Sequence, residues 1–179
     1  MPRLQVRLLT LAFLLLAFPF FLRRRPRVER RVTICAPPEA IFPLINDLRN
    51  WPLWTAWSER EEMDFFYGDT VAGVGAVQRW RSRKRDGMVR LARSDENARV
   101  DYDATLNDGR FQLLGRLELR RDGSCTRVTW RCVWEPSTNP YRRYLDLFGR
   151  WMIGRDFARG LERLKTRVER LQPVAAPGA

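Results

Sequence analysis

The chain has 179 residues, 45% of them hydrophobic and 30% charged, with a formal net charge of +12. That length suits one well-packed domain and is short for two. Histidine is absent and the three cysteines show no CxxC spacing, which excludes Ser-His and Cys-His nucleophilic pairs and the usual zinc arrangements.

The N-terminal end comes first and carries most of the charge. Residues 1–31 hold eight arginines and one glutamate, a net of +7, whereas residues 32–179 hold 25 basic and 20 acidic side chains, a net of +5. An excess confined to a short arm marks a membrane flank rather than a surface that reads nucleic acid. Between the arginines lies "LLTLAFLLLAFPFFL", residues 8–22, without a charge. As a helix this run covers about 22 Å, short of a hydrocarbon core of about 30 Å. Leu4 to Arg7, with Arg7 snorkelling, extend it toward spanning length. Bulky residues and arginines follow where a signal peptidase needs small residues, so an uncleaved single-pass anchor over residues 4–22 is expected. Six arginines flank its C-terminal side (Arg23, Arg24, Arg25, Arg27, Arg30, Arg31) against Arg3, Arg7 and the amino group. The positive-inside rule then places the following domain in the cytoplasm.

"RVERRVTIC" alternates, with Val28, Val32 and Ile34 on one face, and predicts a first strand. Ala36-Pro37-Pro38-Glu39 opens a helix with the apolar face Ile41, Phe42, Leu44, Ile45 and Leu48, which Pro43 should kink or shorten. "NWPLWTAW" adds Trp51, Trp54 and Trp57 at spacings of three, with Trp51 expected in the core and Trp54 and Trp57 at a cavity portal. "YGDTVAGVGAV" matches neither a GxGxxG nor a Walker loop and predicts a flexible hairpin at a cavity mouth. Turn signals at Asp86-Gly87, Asn107-Asp108-Gly109 and Asp122-Gly123 separate alternating runs. Val100, Tyr102, Ala104 and Leu106 share a face, as do Phe111, Leu113, Leu117 and Leu119, and then Val128, Trp130, Cys132 and Trp134. The result is an antiparallel meander with one buried and one solvated face. "RWRSRKRDG", Arg79 to Gly87, is a basic hairpin tip. Cys35, Cys125 and Cys132 are expected as free thiols packing as small residues, not as a disulfide.

A last helix starts at Asn139-Pro140 and keeps helical spacing through Tyr144, Phe148, Trp151 or Met152, Phe157, Leu161, Leu164, Val168 and Leu171. Gly149 and Gly154 predict a break in its middle. Residues 172–179 form a tail. The elements add up to an α+β fold: a curved antiparallel sheet of six to seven strands wrapped around a long C-terminal helix, plus the N-terminal hydrophobic helix. Residues 1–26 are read as anchor and basic flank, 27–171 as the domain.

Over about residues 27–170, "APPEAIFPLINDLRNWPLWTAWSE", "GVGAVQRW", "TRVTW" and "MIGRDFARGLERLK" resemble the START-like SRPBCC superfamily of helix-grip proteins. The nearest branch is bacterial, polyketide cyclase/dehydrase-like and often preceded by a hydrophobic segment, which implies a bacterial inner-membrane location. The resemblance also implies a deep, mostly apolar cavity for lipids, sterols, polyketides or other hydrophobic molecules, without one fixed chemistry. Pro43 and the very basic "RWRSRKRDG" depart from the family's pattern.

The expected lining is Trp54, Trp57, Trp80, Tyr102, Phe111, Trp130, Trp134, Met152 and Phe157. Arg79, Asp101, Asp103 and Glu135 offer no convergent acid-base pair with Tyr102, and no catalytic residue, metal or cofactor is assigned. The leading expectation is a membrane-anchored carrier or sensor whose partners are a hydrophobic small molecule or lipid and the bilayer, not nucleic acid. A cyclase or dehydratase acting on a polyketide-like substrate would require a buried ionisable group in the cavity with a strongly shifted pKa. A cavity too small for any ligand of about 300 Å³ would favour a membrane-surface interaction module without ligand.

Overall fold

The computed structural model describes residues 25–59, 62–83, 86–107, 109, 111–135, 139 and 143–171, and positions 5, 7, 10 and 13. The anchor expected over residues 4–22 and the tail at 172–179 fall outside the described residues, those four positions aside. Among the described residues no helix is long and apolar enough to cross a membrane. Seven strands form one antiparallel sheet: β1 (Arg27–Ile34), β2 (Asp64–Tyr67), β3 (Val77–Arg81), β4 (Asp86–Asp95), β5 (Arg99–Leu106), β6 (Phe111–Asp122) and β7 (Cys125–Trp134). Their order across the sheet is β1-β7-β6-β5-β4-β3-β2. Consecutive strands β2 to β7 are neighbours, and β1 closes the far edge on β7. Helices α1 (Pro38–Asn46) and α2 (Trp51–Trp54) lie between β1 and β2, and α3 (Arg143–Leu171) follows β7.

The alternation read from the sequence sets which face is buried. Val100, Tyr102 and Ala104 of β5, Leu117 and Leu119 of β6, and Val128, Trp130, Cys132 and Trp134 of β7 all point into the core. Their neighbours on the other face form ion pairs across the strands, such as Arg90 with Asp103 at 3.0 Å and Arg131 with Glu29 at 2.6 Å. A register shift between Leu91 and Arg93 bends the β4–β5 pair, and such bulges increase local twist and curvature. α3 packs on the concave face through Phe157, Leu161, Leu164 and Val168.

Two short connections explain where the tryptophans sit. α1 ends with carbonyls that its own turns cannot satisfy. The Pro43 carbonyl accepts from the Asp47 amide and from Asn50 Nδ2, and that of Asn46 accepts from the Gly73 amide. Trp54 Nε1 donates to the Leu44 carbonyl and Trp51 Nε1 to that of Ile45, each at 3.0 Å. All four terminal carbonyls of α1 are thus filled, two of them by indoles whose rings are fully buried.

Several expectations are corrected. Cys35 and Cys125 form a disulfide across 90 residues. The cause is the pairing of β1 with β7, which sets Ile34 against Thr126 and so brings the next two residues together. Cys132 is a buried free thiol as expected. α3 runs unbroken for 29 residues through Gly149 and Gly154, because contact with the sheet outweighs a cost of about 1 kcal/mol per glycine. Phe148 and Trp151 leave the core face and are more than half exposed. Asp86-Gly87 opens β4 instead of making a turn. The glycine-rich segment lies away from the cavity, tied to α1 through Gly73 and to β4 through the bond from the Gly75 amide to the Leu91 carbonyl at 2.8 Å.

Candidate ligand-binding site

The sheet curves away from α3 toward β3–β6, at the end where Leu106 pairs with Phe111. There a single helix cannot fill the trough. A cavity of about 250 Å³, partly open to solvent, remains. Its floor is Trp80 of β3, Val89 of β4, Tyr102, Ala104 and Leu106 of β5 and Leu113 of β6. Met152, Ile153, Asp156 and Phe157 of α3 form the roof, Trp51 and Trp57 the inner end, and Met63 and Asn107 complete the lining. The volume lies just below the usual range for ligand pockets, about 300–1,000 Å³.

Five of the nine residues expected as lining border this space: Trp57, Trp80, Tyr102, Met152 and Phe157. Trp54, Phe111, Trp130 and Trp134 do not. Trp54 is spent on capping α1. Trp130 is sealed beneath α3, stacked on Phe157 with centroids 3.7 Å apart and planes 5° apart. Trp134 donates its indole N–H to Asp146 Oδ1 at 3.2 Å, and Phe111 tilts against it at 5.8 Å. α3 lies closest to the edge strand β1, and over the adjacent β7 the stacking of Phe157 on Trp130 leaves no gap for a ligand. Trp51, expected as core, is both buried and exposed toward the cavity.

Two aromatic floor residues owe their placement to glycines on the next strand. Tyr102 pairs with Gly115 and Trp80 with Gly87. A Cβ on either glycine would collide with the paired ring, so both rings lie flat along the sheet. Tyr102 is locked further. Its hydroxyl accepts from Trp130 Nε1 at 2.8 Å, and its ring meets that of Trp51 edge-on at 5.1 Å.

Asp156, Asn107 and Tyr102 are the polar members of a lining otherwise made of apolar and tryptophan side chains. Burial pushes the Tyr102 phenol well above its ordinary range, against the smaller effect of the Trp130 hydrogen bond. It therefore stays protonated at neutral pH and is suited to hydrogen bonding rather than to proton abstraction. Burial likewise pushes the Cys132 thiol up to about 12, which makes it a poor nucleophile. Asp156 and Asn107 are the polar lining residues that sequence reasoning missed, and Asp156 is the one with a legible signal. It stands four residues after Met152 on the same helix face, and that spacing was the available signal. Arg79 is exposed, and Asp101, Asp103 and Glu135 are held in ion pairs outside the cavity. Among the described residues no cluster of three or more His, Cys, Asp or Glu could hold a metal ion.

A curved antiparallel sheet gripping one long helix over an apolar cavity defines a helix-grip ligand-binding domain. Residues 25–169 match the family described as "Polyketide cyclase / dehydrase and lipid transport", and the chain belongs to that family. No curated protein matches it in sequence. Among solved structures it is similar to a protein from Thermobifida fusca, 25% identical with a TM-score of 0.60 over 82% of this chain and 95% of the other. It is also similar to TTHA0849 from Thermus thermophilus (19% identity, TM-score 0.61, 82% and 99% covered). A third likeness is to CV1439 from Chromobacterium violaceum (15% identity, TM-score 0.56, 80% and 98% covered). These likenesses share the fold.

Proposed function

We propose that this domain is a membrane-tethered carrier or sensor that holds a small hydrophobic molecule, or one end of a larger amphiphile, between the sheet and α3. The apolar cavity carries the reading. Burial of ligand surface supplies affinity at about 25 cal/mol per Å², and Asp156, Asn107 and Tyr102 give a ligand bearing a hydrogen-bond donor something to orient against. Residues 8–22 serve as the tether, which keeps the cavity near membrane-soluble compounds. The Cys35–Cys125 bond favours the oxidising side of that membrane, because disulfides rarely persist in the cytosol. It outweighs the modest arginine asymmetry that points the other way.

The test is native mass spectrometry of the full chain released from mild detergent, alongside binding of fluorescent lipid and quinone probes. An Ala104→Phe variant, which fills the cavity floor, serves as control. A bound mass or probe signal that the variant loses supports the reading. A chain that is consistently empty and ignores every probe overturns it.

A second reading, an enzyme acting on a polyketide-like substrate, is favoured by one observation: Asp156, a buried acidic residue, is among those lining the cavity, and buried ionisable residues in clefts are candidates for acid-base work. Turnover of a polyketone substrate that Asp156→Asn abolishes while retaining binding would establish it.

A further inference from the structure

We propose that the cavity-bearing end of the domain rests on an anionic lipid bilayer, with Leu147, Phe148 and Trp151 of α3 seated among the headgroups. The proposal rests on the tethered reading above and adds the face that meets the lipid. Leu147, Phe148 and Trp151 are 38%, 61% and 57% exposed. They stand on the side of α3 opposite Asp156 and Phe157, and the rings of Phe148 and Trp151 lie 5.9 Å apart. Arg155 lies over the Trp151 ring, 4.8 Å from its centroid, and Arg150 and Arg159 are exposed beside the patch. Tryptophan and phenylalanine ringed by arginine is the composition of a helix that lies in a membrane interface.

The chain path places the tether at this same end. β1 runs alongside α3 in the same direction. At its start the Trp134 amide donates to the Pro26 carbonyl and the Trp134 indole to Asp146. Midway the Arg30 guanidinium lies against Gly154, and at its far end the Cys35 amide donates to Glu169. The chain therefore enters the domain beside the first turns of α3. The uncharged run ends at Leu22, three residues before Arg25, a reach of about 10 Å at most. Membrane-embedded residues 8–22 would hold this end at headgroup depth.

Charge and access agree. The basic hairpin between β3 and β4 turns at this end, with Arg81 and Arg83 exposed. Glu135 and Asp146, the carboxylates flanking the β7–α3 connection, are engaged by Arg25 and Trp134. The cavity lies at the same end, between β5, β6 and Met152. A ligand leaving the bilayer here would reach Met152 and Asn107 without crossing bulk water.

The experiment uses the full chain in a Cys132→Ala background, reconstituted into phosphatidylcholine–phosphatidylglycerol vesicles. Nitroxide labels are attached in Phe148→Cys or, as a repeat, Leu147→Cys. A label in Thr166→Cys, exposed near the C-terminal end of α3, is the reference. Collision with oxygen, which concentrates in lipid, is compared with collision with a water-soluble nickel chelate. The expected result is an oxygen-to-nickel ratio several-fold higher at 148 than at 166, reduced by the triple variant Arg150→Gln, Arg155→Gln, Arg159→Gln. Equal ratios in a chain that floats with the vesicles overturn this proposal and leave the tether standing. A chain that does not float refutes the tethered reading itself. Dipolar coupling between labels at 148 would show a second copy on the patch and overturn the lipid assignment.

Discussion

The Tyr102 ring lies flat on the backbone of Gly115, its partner across β5 and β6, and there is no space for a Cβ between them. This contact sets the floor of the cavity and delivers the Tyr102 hydroxyl to Trp130 Nε1. Gly115→Ala should lift the ring, break that buried hydrogen bond and destabilise the fold by about 1–3 kcal/mol, the range for overpacking. The measurement is urea unfolding of a double-mutant cycle with Tyr102→Ala. The alanine should cost much less once the ring is gone. Equal costs in both backgrounds would show that the glycine serves the backbone alone.

Trp54 is fully buried, and its indole N–H donates to the Leu44 carbonyl at the end of α1. Trp54→Phe keeps much of the ring and strands that carbonyl. The expected loss is about 1–3 kcal/mol for the unsatisfied group, plus a smaller packing term. Trp57 is half-buried at the cavity and caps nothing. Trp57→Phe should therefore cost less stability than Trp54→Phe and change probe binding more. Chemical denaturation and probe titration of the two variants measure both differences, and the reverse ranking would remove the capping role from Trp54.

The strands and their buried faces were legible because each strand has one dry side, so alternation alone placed Val100, Tyr102 and Ala104 inward. The division between cavity wall and solid core was not. Tyr102 and Trp130 alternate identically, yet one meets open space and the other is pressed under α3. That difference depends on where a straight helix crosses a curved sheet, which no local pattern records. Cys35 and Cys125 escaped for a related reason. Their pairing follows only once β1 is known to join β7 across 90 residues. The glycines of α3 misled because propensity is a local quantity and the helix is held by burial of Phe157, Leu161, Leu164 and Val168.

The disulfide gives a prediction with two readouts. Cys35→Ser in the oxidised protein should lower stability by about 2–4 kcal/mol, the usual value for a native cross-link over a long loop. Native protein at pH 8 should leave Cys132 unalkylated, since burial holds its thiol near 12, while denatured protein should alkylate it. Cells quenched with acid and alkylated under denaturing conditions should show Cys35 and Cys125 blocked until a reductant is added. Both thiols free in that assay would return the domain to the cytoplasmic side.

Asp101 sits on the convex face of β5, where Arg99 and Arg116 both reach its carboxylate, Arg116 Nε at 3.0 Å. Partial burial raises its pKa, but the hydrogen bond from Arg99 and the charges of both arginines outweigh it and bring it below the ordinary 3.8. A depressed folded-state value means that the unfolded chain holds this proton more tightly. The stabilisation is therefore complete above the unfolded value and is lost as pH falls through the folded one. Asp101→Asn should cost about 0.5–1 kcal/mol at neutral pH, the scale of a partly exposed ion pair. Its deficit relative to the parent should shrink below about pH 3.8 and close once the parent carboxyl is protonated. Urea unfolding of both proteins across acidic pH measures this convergence. A deficit that stays constant with pH would show that the side chain contributes through packing and not through its charge.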